Sequence, residues 1–112
     1  PHGVVFDGSH MWVANWRDDT LSKINVSTDT VTAVPGGDGP YGVAFDGSHI
    51  WVTNINTGSG SSDPGTLSKI NVATDTVTET VTVGYQPHGV VFDGSHIWVA
   101  NFDDDTVSKL VP

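Results

Sequence analysis

Short apolar runs alternate with polar turns along this chain, and no run keeps a helical spacing. GVVF (3–6) is compact and rich in β-formers. Asp7-Gly8 follows, a pair that suits a two-residue hairpin turn because both residue types tolerate positive φ. HMWVAN (10–15) reads as the returning strand and WRDD (16–19) as a loop. In TLSKINV (20–26), Leu21, Lys23 and Asn25 point one way, Ser22, Ile24 and Val26 the other. STD (27–29) is a turn, and TVTAV (30–34) alternates again with Thr outward. The pattern predicts four antiparallel strands of about five residues each. The first two are apolar on both sides, which requires cover on both faces. The fourth has a Thr-rich face and belongs at a wet rim.

This unit recurs. Residues 1–26 and 87–112 are identical at 19 of 26 positions, and PYGVAFDGSHIWVTN (40–54) is a third copy of the opening. Repetition at a period of about 40 residues predicts stacked supersecondary units. The expected fold is all-β, a set of β-propeller blades, each a four-stranded antiparallel meander. Blade one spans 1–39. Blade two spans 40–86 and carries a Gly/Ser/Pro-rich insertion at 56–65. Blade three, 87–112, stops after its third strand. The chain starts at Pro1 inside a repeat, without an initiator Met, and reads as a processed product or a piece of something longer. An arc of fewer than three blades leaves two apolar faces in water, and apolar patches of that size mark interaction surfaces. Completion is therefore expected from oligomerisation or from a longer chain. Two copies joined head-to-tail make a six-bladed ring, the favoured arrangement.

The pattern P-x-G-V-x-F-D-G-S-x-x-W-V-A-N, then T-V-S-K-I-N, then T-D-T-V-T resembles the YVTN-repeat and streptogramin-lyase-like propellers. The residues that carry the likeness are Pro1-His2-Gly3, Pro40-Tyr41-Gly42 and Pro87-His88-Gly89, with Trp12–Asn15, Trp51–Asn54 and Trp98–Asn101. The resemblance implies a propeller and leaves function open, because one fold hosts many functions.

Charge narrows the partners. Thirteen acids face Arg17, Lys23, Lys69 and Lys109, a net charge of −9. Nucleic acid is not an expected partner, since phosphate binding needs clustered cations. No apolar run approaches the roughly 20 residues of a membrane helix, so membrane insertion is not expected. There are no cysteines, hence no disulfide framework. The acidic balance fits an extracellular or cell-surface protein.

Candidate chemistry is sparse. His2, Tyr41 and His88 ring the expected axis. Histidines there suit a metal or a general base, although tolerance of any bulky residue is the plainer explanation. His10, His49 and His96 sit in turns on the opposite side. Trp16, Tyr85 and Phe102 beside aspartates offer stacking surfaces for a carbohydrate. Asp103, Asp104 and Asp105 form a hard-oxygen cluster of the kind calcium uses, but aspartates also serve loops by accepting local backbone N–H bonds. Cofactors are expected to be none, with a divalent cation at that cluster as the exception. Trp12, Trp51 and Trp98 are expected in the packing between blades. No nucleophile elbow, phosphate loop or zinc-spaced pair is present. The leading expectation is a non-enzymatic structural or binding module whose partner is itself, with a carbohydrate or protein ligand possible. The alternatives are a streptogramin-lyase-like metal-dependent enzyme with an axial His site, or a carbohydrate-binding propeller.

Overall fold

The computed structural model describes residues 2–55 and 64–112; most of the 56–65 insertion, and Pro1, lie outside the described residues. The described chain is all-β. Three antiparallel sheets follow one another, each a meander with neighbouring strands adjacent in sequence. The first contains β1 (Val4–Phe6), β2 (His10–Asn15), β3 (Thr20–Asn25) and β4 (Val31–Pro35). The second contains β5 (Pro40–Phe45), β6 (His49–Asn54), β7 (Thr66–Asn71) and β8 (Thr76–Thr82). The third has β9 (Pro87–Phe92), β10 (Ile97–Asn101) and β11 (Thr106–Leu110), with a single 3-10 turn at Phe102–Asp104. These are blades of a β-propeller-like fold, the last of them three-stranded. Among the described residues no helix is long and apolar enough to cross a membrane.

Burial depends on cover: β6, with a sheet on either side, is buried along nearly its whole length, whereas β1 and β9, each open on one face, alternate with a period of two. Trp12, Ala14, Leu21 and Val34 of the first sheet pack against Ile50, Val52 and Ile70 of the second. The opposite face of the second sheet, through Trp51 and Leu67, meets Ile97 and Val99 of the third. Among the described residues there is no central core apart from these two layers. The outermost strands β4 and β8 are mostly exposed, as their alternating threonines predict. Trp98 stands on the far side of the third sheet, beside Gly89, Val91, Ala100 and Val107 in an open apolar groove. It is only half-buried, whereas Trp12 and Trp51 are sealed.

The inner strands approach one another closely. The Gly3 N–H donates to the Tyr41 carbonyl at 2.9 Å. A Cβ at Gly42 would overlap the carbonyl oxygen of His88, so the side chain must be absent for the sheets to meet.

One local expectation is corrected. The hairpin turn does not place positive φ on Asp7. The two central residues are Gly8 and Ser9, closed by the Asp7 N–H to the His10 carbonyl at 3.0 Å. Positive φ falls on Gly8, Gly47 and Gly94, at 106°, 106° and 103°, as in turns with glycine first. The aspartate keeps an ordinary backbone because its side chain is engaged. Asp7 Oδ1 accepts the Ser9 and His10 amides at 2.9 and 2.7 Å.

The sealed and half-buried tryptophans should respond differently to truncation. Trp51→Ala is expected to cost about 3–5 kcal/mol in stability, and Trp98→Ala less than half of that. Chemical denaturation of the two variants beside the wild type, at dilutions where the chain is monomeric, measures both. Equal losses would contradict the described packing.

Candidate functional site

Two surfaces concentrate the chain's chemistry: a ladder of aromatic rings beside the inner strands, and the faces of the first and third sheets that have no neighbour.

The ladder comes from repetition. His2, Tyr41 and His88 hold the same place in three copies, just before the glycine of each inner strand. Sheet-to-sheet packing brings them into line. The His2 and Tyr41 ring centroids are 3.6 Å apart, and those of Tyr41 and His88 are 4.3 Å apart and stacked. Phe102 adds a fourth rung, nearly parallel to His88 at 5.0 Å. Phe102 remains 66% exposed, so the ladder ends on an aromatic face open to solvent. Burial pushes the His88 imidazole down, the nearby His2 charge adds to this, and Asp103 opposes both.

Thr53 locks the ladder from behind. It is fully buried, accepts the Gly42 N–H at 2.8 Å and donates to the His88 carbonyl at 2.8 Å. Nothing in the chain's chemistry pointed to it except a hydroxyl in the second copy where the others have Ala14 and Ala100.

Trp16 lies elsewhere, in a groove lined by Asn15, Arg17 and Asp18, with the Arg17 guanidinium 5.2 Å from its ring centre. The structure does not bring Trp16 and Phe102 into one stacking surface among the described contacts.

The acidic loops have structural work to do. Asp104 accepts the Tyr85 N–H at 3.0 Å, and Asp19 accepts the Gly39 N–H at 2.9 Å. Each aspartate therefore holds a linker between sheets. Asp103 lies in the 3-10 turn, and Asp105 adopts a left-handed backbone. Asn54 and Asn101 assist, each accepting a linker glycine amide and donating to a serine of its own sheet. Among the described residues, no three His, Cys, Asp or Glu side chains converge to hold a metal ion.

Each repeat also builds a clamp around its tryptophan. The indole N–H of Trp12, Trp51 and Trp98 donates to Asp7, Asp46 and Asp93 at 2.8 Å. The ammonium groups of Lys23, Lys69 and Lys109 lie 5.1, 5.3 and 5.1 Å from the same rings. Burial works to raise the Asp7 and Asp46 carboxyls, but the indole and the turn amides outweigh it and hold both below the usual carboxylate range. For Asp93 the Trp98 indole is the main cause of a strong depression, followed by the His96 and Ser95 amides. His10, His49 and His96 face outward in these turns, each sharing a hydrogen bond with the preceding serine at 2.8–3.1 Å.

The open faces carry the residue types that are buried inside. On the first sheet, Val4 is 58% and Phe6 50% exposed, where their counterparts Val43 and Phe45 pack into the core. On the third, Val107 is 64% exposed, where its counterpart Leu67 is sealed.

Two pH responses follow. A carboxyl held below its unfolded value stabilises the fold above about pH 4 and loses that contribution as pH falls through its folded value. Asp46→Asn keeps only one acceptor oxygen, so it should cost about 1 kcal/mol at neutral pH and flatten the loss of stability between neutral pH and pH 3. For His88 the sign runs through the unfolded state, which binds the proton more readily. Stability therefore drops as pH falls below about 6.5. Melting temperatures at pH 7.5 and 5.5 should fall further for the wild type than for His88→Phe.

No known protein-family profile matches the chain, and neither does any curated protein. Among solved structures, it is similar to the hydrazine synthase of Kuenenia stuttgartiensis, with a TM-score of 0.77 at 24% identity. The match covers 90% of this chain and 29% of that one. At that identity the likeness speaks for a shared propeller-like fold alone.

Proposed function

We propose that this chain is a non-enzymatic, extracellular propeller module that works by assembling head-to-tail through its blade faces. One observation carries the reading. The open faces of the first and third sheets present the same residue types, in the same repeat positions, as the pairs already buried within the chain. Val4, Phe6, Met11 and Val13 repeat Val43, Phe45, Ile50 and Val52, while Val91, Trp98, Ala100 and Val107 repeat Ala44, Trp51, Thr53 and Leu67. A face that fits its neighbour inside the chain fits the same neighbour on another copy. The contact is heterologous, so it closes into a ring when the rotation allows. Two copies supply six blades. In this reading the acidic surface supports the extracellular setting, and the repeat motifs are the support for a likeness to the YVTN-repeat propellers.

The exposed Phe102 face favours a second reading, a carbohydrate ligand stacked at the end of the ladder. Its test is glycan binding by the wild type that Phe102→Ala abolishes.

Sedimentation at micromolar concentration tests the leading reading. The wild type is expected as a defined oligomer. Val107→Asp, which puts a charge on the open face and removes nothing from the internal layers, is expected as a folded monomer. A wild type that sediments as a stable, folded monomer overturns the reading.

A further inference from the structure

The two apolar faces explain attraction between copies, but apolar contact is non-directional. Something must select which copy faces which way and in what register. The internal junction between the first and second sheets contains such a device, and half of it is repeated at each open face.

The device is Lys23. Its ammonium lies over Trp12 and reaches out of its own sheet to the second one. There it donates to the Asp75 carboxylate at 2.6 Å and to the Val72 carbonyl at 2.9 Å. Only 13% of its side chain is exposed, so this is a partly buried, charge-assisted pair of the stronger kind.

The donor half recurs at Lys109. This lysine stands over Trp98 at the same 5.1 Å that separates Lys23 from Trp12, and it belongs to the exposed side of the third sheet. The acceptor half recurs at Asp29. The turn over residues 25–30 repeats that over 71–76 in its main bonds. Asp29 and Asp75 have φ of 59° and 58°. Their amides donate to the Asn25 and Asn71 carbonyls at 2.8 Å in both cases. The Asn25 and Asn71 side chains accept the amides of Ser27 and Ala73, again at 2.8 Å. Val26 stands where Val72 stands, and is exposed. At the inner edge, Gly89 has open space where Gly3 and Gly42 each press on the next sheet's carbonyl.

We infer that Lys109 of one copy clasps Asp29 and the Val26 carbonyl of a second copy, and that this ion pair sets the polarity and register of the head-to-tail contact. The inference rests on the assembly reading above. The clasp sits toward the outer strands and the glycine slot at the inner edge, so the two together define one orientation of the sheets. The wrong polarity forfeits the pair: a tail-to-tail contact offers Lys109 no Asp29, and a head-to-head contact offers Asp29 no Lys109.

Charge reversal tests this on the 112-residue chain. Lys109→Asp and Asp29→Lys, each checked for its fold by circular dichroism, are expected to weaken self-association at least tenfold in sedimentation. An equimolar mixture of the two should recover assembly at a stoichiometry of one to one. In that mixture every junction pairs an aspartate at 109 with a lysine at 29, or the natural pair. Lysine in the left-handed backbone of position 29 is strained, so Asp29→Asn provides a second variant that keeps the turn. It should weaken association, and mixing it with Lys109→Asp should restore less than mixing with Asp29→Lys does, because only one of the two junctions then carries an ion pair. A wild type that assembles together with single variants that assemble equally well overturns the clasp and leaves the assembly reading standing. Single variants that fail, with no recovery on mixing, also overturn it. A monomeric wild type overturns both.

Discussion

An indole ring held on three sides organises each repeat. The turn aspartate binds its N–H, the third-strand lysine covers it, and where a following sheet exists its apolar residues close against it. The turn, the second strand and the third strand are thereby tied at one point. The aspartate also caps two turn amides, so the hairpin that starts each blade is set by the group that anchors its tryptophan. The lysine then extends the tie outward, as Lys23 does to Asp75. Packing between sheets thus rests on a ring whose orientation is fixed by polar bonds before any apolar surface meets it.

This arrangement gives the fold no closed core. Its apolar burial lies in the layers between sheets, worth about 25 cal/mol per Å², and a layer needs two sheets. The same surface is core when a neighbour is present and interface when it is not. Trp12 and Trp98 make the point, since they occupy equivalent positions and differ in whether a sheet follows. Stability and association are then one property seen at different junctions. The polar outer strands mark where stacking ends, because a threonine face gains nothing from being covered.

The inner edge adds a different constraint. Glycines let the backbones approach, and Thr53 fills the polar demand this approach creates. The aromatic ladder follows from that spacing: residues one repeat apart become stacking partners only because the inner strands lie so close. Charge is used locally, with Asp19 and Asp104 spent on linker amides.

Local periodicity and repetition were enough to read from the sequence that the chain is all-β, that its strands form antiparallel meanders, and that the first two strands of each are apolar on both sides. These are properties of short segments and of their copies. The placement of tryptophans in strands apolar on both sides was legible for the same reason. The hairpin was misassigned by one residue because a side-chain bond, invisible in a dipeptide, moves the positive φ onto Gly8. Thr53 escaped notice because its value depends on a carbonyl 35 residues away. The pairing of Lys23 with Asp75 joins residues 52 apart, and the joining of Phe102 to the ladder depends on a turn that no pattern specifies. Strand and repeat are encoded by neighbours in sequence, so the sequence alone determined them. Which charges pair and which rings stack were decided only by the angle and distance at which one sheet meets the next.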